Sequence, residues 1–208
     1  VVGGHPYVLL GPANFEKLLD DPTVVQRFAA DEFMPYWAEF WPAATLLAEV
    51  VAAWGPAPAE GAPRVLEVGC GLGLVGLVAH RLGYPVTLTD YEDDALMFVR
   101  ASAAANGLPE PATAFVDWRQ EYPALRSERI VAAEVLYERR ILEPISAFLK
   151  AHLLPGGEAL IVDRYRQTAD AFPAHAERAG LVVESAPLNG VAADGTAIAA
   201  RLFTVRHA

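Results

Sequence analysis

The stretch VLEVGCGLGLVGL, Val65 to Leu77, decides how the chain is read. Gly71, Gly73 and Gly76 spell G-x-G-x-x-G, and Asp90 follows about twenty residues later, where a dinucleotide site expects an acid for a ribose. The same run places Glu67 two residues before Gly69, in the order Glu67-Val-Gly69-Cys-Gly71-Leu-Gly73. In a dinucleotide site the pyrophosphate lies close over this loop and the helix that follows it. A carboxylate there would oppose it, since like charges ~5 Å apart cost roughly 3 kcal/mol at an effective dielectric near 20. A nucleoside cofactor with cationic groups and no phosphate suits such a pocket better.

Around the loop, strand and helix patterns alternate. RVLEV reads as a buried strand and LGLVGLVAHRLG as a helix. PVTLTD and EDDALMFVRASAAANG follow as a second strand and helix, with acids in the helix's first turn. ATAFVDW and RIVAAEVLY are a third and fourth strand, EPISAFLKAHLLPGG a helix, and EALIVDRY a fifth strand. Pro173 must kink or divide the helix expected over RQTADAFPAHAERAG. LVVESAP and AARLFTV close the chain as two strands with turn signals at Asn189-Gly190 and Asp194-Gly195. Strands separated by helices imply right-handed crossovers and a mostly parallel sheet covered on both faces. With no helix between them, the last two strands pair antiparallel. The fold class expected is α/β: a Rossmann-like, mostly parallel seven-stranded sheet with an antiparallel final hairpin and an N-terminal helical extension.

The extension covers residues 1–54, where PANFEKLLDDPTVVQRFAADE breaks at Pro22, with Asp20 or Asp21 as cap, and WPAATLLAEVVAAW forms another helix. GPAPAEGAP, residues 55–63, reads as a linker, and 64–208 as the cofactor-binding core. The whole is expected to form one structural unit.

In an open parallel sheet, ligands bind in the crevice at the carboxyl ends of the strands. Glu67, Asp90, Asp117 and Glu134 each end one of the first four strands, so four acids converge on one cleft. That pattern points to S-adenosylmethionine, whose sulfonium and ammonium are cationic.

At these residues the chain resembles the class I, seven-stranded S-adenosylmethionine-dependent methyltransferases. The motif ExGCGxG, Asp117-Trp118, Glu134 to Tyr137 (EVLY) and the upstream WAEFWPAATLLA resemble the D-x-x-Y branch, which includes protein lysine methyltransferases. The resemblance runs from about Trp37 to Val205, with Glu134 standing where Asp is commoner. It implies that Gly69, Gly71 and Gly73 let the backbone approach the methionine portion. Asp90 accepts from both ribose hydroxyls, Asp117 accepts from the adenine amino group, and Trp118 walls it. Glu67, Tyr91 and Glu134 belong to the same cofactor set. Trp41, with Glu39, closes the pocket from the N-terminal segment. Glu134 attracts and orients an amine, and Tyr137 stands beside it. The products implied are S-adenosylhomocysteine and a methylated acceptor: a protein lysine or, as the alternative, a small molecule methylated on nitrogen or oxygen. A non-catalytic module of the same fold would be expected to lose the cofactor acids, which are intact here.

Composition excludes other classes. Of 208 residues 53% are hydrophobic, enough for a core, and the net charge of −10 repels nucleic-acid phosphates. No N-P-P-Y-like loop follows the fourth strand, which also argues against a nucleic-acid substrate. His5, His80, His152, His175 and His207 show no metal-ligand spacing, so no metal is expected. No apolar run reaches membrane-span length and no signal segment opens the chain, so neither a membrane partner nor export is expected. The single cysteine, Cys70, suits a reducing cytoplasm and serves as a small residue in a tight turn. A cytoplasmic monomer is expected. The chain opens at Val1 rather than Met, which suggests that native residues precede it.

Overall fold

The first strand, β1 (Val65–Val68), is buried along its whole length, but its side chains divide between two cores. Val65 joins one hydrophobic cluster, and Leu66 and Val68 join another. Period-two alternation therefore sends Glu67 to the Val65 face. The computed structural model describes all 208 residues except Phe33, Ala193 and Asp194, and the side chain of Asp31.

Seven strands form one sheet in the order β3-β2-β1-β4-β5-β7-β6. β2 (Val86–Asp90), β3 (Ala112–Phe115), β4 (Ser127–Ala133) and β5 (Leu153–Arg164) extend β1 in parallel. β6 (Leu181–Val191) and β7 (Ala197–His207) pair antiparallel with each other, and β7 inserts beside β5. On one face lie α3 (Ala43–Ala52), α4 (Leu74–Arg81) and α5 (Asp93–Ala105); Leu47, Val51, Val75, Val78 and Val99 pack there on Val65, Leu88, Val131 and Val162. On the other, α6 (Leu142–His152) and α7 (Phe172–Arg178) pack Ile145, Phe148, Leu149 and Phe172 on Leu66, Ile130 and Ile161. The expected fold is the observed one.

The N-terminal segment divides in two. α1 (Phe15–Leu19) and α2 (Pro22–Asp31) contribute no described buried residue and are each started by a side-chain cap: Asn14 accepts from the Lys17 amide, Asp21 from the Thr23 amide. α3 instead buries Leu46, Leu47, Ala48 and Val51 in the main core, so the 55–63 stretch connects two parts of one core.

Three local readings shift. β4 ends at Ala133, short of the expected strand through Tyr137, because Glu134 takes a left-handed backbone with φ 56°. α6 stops at His152, and Leu153 to Gly157 already belong to β5; a Cβ on Gly157 would lie 2.4 Å from the Glu128 carbonyl oxygen, so that glycine serves close strand approach. Asn189-Gly190 is no turn: Gly190 pairs with Ile198 inside the β6–β7 ladder, and its missing Cβ makes room for Leu46 of α3. The other turn signal includes Asp194, which lies outside the described residues. Pro173 sits in the first turn of α7, where its lost amide has no cost, and so divides the expected helix. No helix among the described residues is long and apolar enough to cross a membrane.

Candidate active site

The carboxyl ends of β1 to β4 open into a cavity of about 370 Å³, in the size range of small-ligand sites. Glu67, Gly69, Gly71, Gly73, Asp90, Tyr91, Asp117, Trp118, Glu134, Tyr137 and Trp41 all line it. Met34, Tyr36, Trp37, Glu39 and Phe40 close it from the segment before α3.

The glycine loop is shaped by the protein beneath it. Gly73 caps α4 with φ 79°, a conformation that favours glycine, and a Cβ there would lie 2.6 Å from Val99. At Gly76 a Cβ would come within 2.4 Å of a Glu67 carboxylate oxygen and 2.5 Å of Leu88. The third glycine of the motif thus brings α4 down onto the sheet. The Gly76 amide donates to Glu67 Oε2 at 2.8 Å. Glu67 is buried, and burial pushes its carboxyl up to about 8, against the pull of that amide. Its main partner is the start of α4, which it braces from below.

Asp90 meets the loop from β2. Its Oδ2 accepts the Gly71 amide at 2.9 Å and its Oδ1 the Glu92 amide at 3.2 Å. Burial raises this carboxyl to about 6, backbone donors notwithstanding. Each oxygen keeps acceptor capacity. Cys70, between the two, is buried, and burial drives its thiol well above the ordinary value, which leaves it an inert packing residue.

Asp117 is differently placed. Arg119 folds back on it: Nε and NH2 reach Oδ2 at 3.1 and 2.7 Å, and Nε and the backbone amide reach Oδ1 at 2.8 and 2.9 Å. These hydrogen bonds hold the carboxyl below its ordinary value and occupy the sites through which it would meet an adenine amino group. Arg119 escaped notice in the sequence because its partner lies two residues away in a loop whose conformation no periodicity fixes. Trp118 stands against Gly69, where a Cβ would lie 3.2 Å from its ring.

Glu134 has the densest contacts. Its side chain is 1% exposed. Oε1 accepts the Ala43 amide at the start of α3 at 3.0 Å. Oε2 accepts Arg164 Nε at 3.0 Å and a second guanidinium, that of Arg166. Sequence reasoning expected this carboxylate to face an incoming amine; the fold commits it to two arginines and a helix start. Arg166 also grips Asp163, whose carboxyl burial raises to about 6. Both arginines lie over the Trp41 ring, 5.7 and 5.5 Å from its centre. They were missed although the strand-end rule that found the acids applies equally to the bases of DRYR at the end of β5.

Tyr137 packs edge-on against Tyr36 at 4.9 Å, and Tyr36 edge-on against Trp41 at 5.9 Å. Trp41 Nε1 donates to the Tyr36 carbonyl at 2.8 Å, fixing the trio. Burial raises the Tyr137 hydroxyl above its ordinary value, so it stays protonated at neutral pH. These aromatics also line a second cavity of about 290 Å³, completed by Glu134, Arg164 and Arg166. No group of three or more His, Cys, Asp or Glu among the described residues could hold a metal ion.

Residues 36–173 match the model of a family described as lysine methyltransferase. The chain belongs to that lysine methyltransferase family. Its cofactor is S-adenosylmethionine, and its fold is that of the class I methyltransferases. The mitomycin 7-O-methyltransferase MmcR superposes with a TM-score of 0.63 at 18% identity over 94% of this chain and 61% of its own. The glycopeptide N-methyltransferase MtfA, solved with sinefungin, gives 0.63 at 15% identity over 81% of this chain and 95% of its own. A ribosomal protein L11 methylase from Lactobacillus delbrueckii subsp. bulgaricus gives 0.57 at 21% identity, covering 78% and 77%. The chain spans about half of TrmN from Thermus thermophilus, 48% of its length. No curated protein sequence matches it. The residues present fit this cofactor: the cavity is edged by Glu39 and Asp90, and by Glu92 and Glu138, which pair with Arg27 and Arg140, an acid-rich setting for a sulfonium and an ammonium and a poor one for a pyrophosphate.

Proposed function

We propose that the protein methylates the side-chain amine of a lysine on a protein. Family membership supports the acceptor type. The observation that carries the reading is the Tyr36–Trp41–Tyr137 cluster, which stands where the cofactor cavity meets the second cavity beyond β4. An ammonium and its alkyl stem are both favoured against aromatic faces.

When bound, S-adenosylmethionine supplies a methyl group already activated by a sulfonium. The protein's part is then positioning, desolvation and the acceptor's protonation state. Asp90 receives the ribose hydroxyls and, through the Gly71 amide, ties them to the loop. Trp118 walls the adenine. A lysine amine, with an ordinary pKa near 10.4, arrives charged and must lose a proton before it attacks. Enclosure between aromatic rings lowers that pKa by desolvation. The Tyr137 oxygen accepts an N–H of the amine and so aims its lone pair. Water at the open mouth takes the proton. Glu134 acts here as a positioning residue, holding α3, Arg164 and Arg166 around the acceptor channel.

The test is to incubate the full chain and labelled S-adenosylmethionine with a lysate from which small molecules have been kept. Label on lysine in discrete protein bands is expected. Label confined to the small-molecule fraction would overturn the protein acceptor while keeping the transferase.

A further inference from the structure

The order of groups along the crevice gives the second cavity its place. Asp117 and the glycine loop follow β3 and β1, and Asp90 ends β2; Glu134 and Tyr137 follow β4, and Arg164 and Arg166 end β5 or follow it. If Asp117 and Asp90 hold the adenosine and the glycine loop the methionine portion, as the methyl-transfer reading has it, the ground beyond β4 would be left for the acceptor. There Tyr36, Trp41 and Tyr137 give way to two guanidiniums.

Charge counting alone makes this corner neutral, since Glu134 and Asp163 oppose the arginines. Depth breaks the tie. The two carboxylates are 1% and 0% exposed, whereas the Arg164 and Arg166 side chains are 41% and 24% exposed. A ligand entering the cavity therefore meets the cationic layer, with the acids behind it. Arg166 spends both terminal nitrogens on Asp163 and Glu134. Arg164 engages only Nε, and its two terminal amino groups donate to no described residue. Arg164 Nε donates to Glu134 beneath it, and the guanidinium lies over the Trp41 ring, 5.7 Å from its centre. A planar fork whose two terminal amino groups donate to no described residue matches a carboxylate's two oxygens.

We propose that this cavity is an anion subsite for the methyl acceptor: Arg164 binds a carboxylate carried near the amine that is methylated. The inference rests on the methyl-transfer reading of the neighbouring cavity and narrows its substrate. The carboxylate belongs either to an acidic residue flanking the target lysine or to the acceptor molecule itself. Both sources present the same chemistry to Arg164.

The probe is glutarate, titrated by calorimetry into the full chain saturated with S-adenosylhomocysteine. Saturable binding is expected, weakened at least about tenfold by Arg164→Gln and less by Arg164→Lys, which keeps the charge and loses the fork. Affinity for S-adenosylhomocysteine should stay within about twofold in both variants, which also reports that they fold. Displacement of glutarate by an acetylated Lys-Glu dipeptide amide but not by free lysine supports the subsite and assigns the anion to a flanking acid. The reverse pattern supports it and assigns the anion to the acceptor's own carboxylate. Displacement by neither overturns the acceptor role. No saturable binding in the wild type, or undiminished binding in Arg164→Gln, overturns the subsite while leaving the transferase reading in place. Failure of S-adenosylhomocysteine to bind removes both.

Discussion

Asp90 and Glu134 stand at corresponding points, at the end of β2 and just past the end of β4, and both are almost wholly buried. Their surroundings differ. Asp90 receives two backbone amides and, among the described residues, no cation, and burial pushes its carboxyl up to about 6. Glu134 receives a backbone amide and two guanidiniums. One acid is held short of partners and so has capacity for a ligand. The other is consumed in binding α3, β4 and the end of β5 together. Between β1 and β2 an acid keeps acceptor capacity; beyond β4 the acid is spent, and Arg164 keeps terminal amino groups that donate to no described residue.

The largest expected effect tests that division on stability. Glu134→Ala strands the Arg164 Nε and the Ala43 amide, leaves Arg166 with Asp163 alone, and forfeits whatever repays a left-handed backbone at a non-glycine residue. Removing one partner of a buried pair costs ~3–5 kcal/mol, and solvent access to the arginines places this case near the lower end. At this chain length that is a fall in Tm of roughly 10 °C. Asp90→Asn, in contrast, removes a carboxylate that burial penalises and leaves one of its two amide donors without an acceptor, so the ligand-free protein should lose far less than Glu134→Ala does. Equal losses in the two variants, read by thermal melts without cofactor, break the comparison.

The same pair should exchange rank in cofactor binding. Asp90→Ala is expected to weaken S-adenosylmethionine by roughly 2–4 kcal/mol, about 30- to 1,000-fold, since a charged acceptor of two hydroxyls is lost. Glu134→Gln, which keeps shape and most hydrogen bonds, should change that affinity far less. Calorimetry on both variants decides. A larger loss at Glu134 would mean that α3 and the segment before it set cofactor affinity more than the ribose contact does.

Sequence order explains why one of these acids was readable and the other was not. Asp90 lies on the strand after the glycine loop, and its contact with Gly71 follows from the parallel pairing of β1 and β2. Glu134 meets Arg164 thirty residues later, through the β4–β5 register that sets Ala133 against Val162. No local pattern announces that register. The layer order was legible because alternation and helix punctuation are local properties. Gly190 misled for the converse reason: glycine beside asparagine usually signals a turn, whereas here its missing Cβ accommodates Leu46 from a helix some 140 positions earlier. Gly76 was noted as part of a motif, but its reason, the Glu67 carboxylate beneath it, required the packing of α4 on β1.

A smaller effect should appear with pH. Burial raises Glu67 to about 8 and Asp90 and Asp163 to about 6. A raised acid binds more protons folded than unfolded, so its contribution to stability is greatest at low pH and is lost as pH climbs from the unfolded value near 4 through the folded one. The ligand-free protein should therefore lose stability between about pH 4 and pH 8. Glu67 and Asp90 border the cofactor cavity, so a cationic sulfonium should favour their ionised forms. S-adenosylmethionine should gain affinity over that window relative to the uncharged thioether S-adenosylhomocysteine. Melts at stepped pH, with each ligand and with none, check both signs. A flat ratio between the two ligands would place the sulfonium away from these acids.

The smallest effect belongs to Asp117. The family resemblance implies the adenine amino group for it, but Arg119 already occupies its oxygens with three side-chain contacts and a backbone amide. Arg119 is 67% exposed, so solvent screens the pair and the grip is weak in energy even though its geometry is bidentate. Two outcomes separate cleanly. If the pair persists with cofactor bound, Asp117→Asn should cost less than about 1 kcal/mol, under about fivefold in affinity, and Trp118→Ala should cost more through the lost adenine wall. If the adenine amino group displaces Arg119, Asp117→Asn should cost more than that, and Arg119→Ala should tighten the cofactor by freeing the acceptor. Measured together, the three variants show whether Asp117 resembles Asp90, an acid kept for the ligand, or Glu134, an acid already spent. The closed Arg119 clamp favours the second: an Asn change under fivefold, with Arg119→Ala neutral.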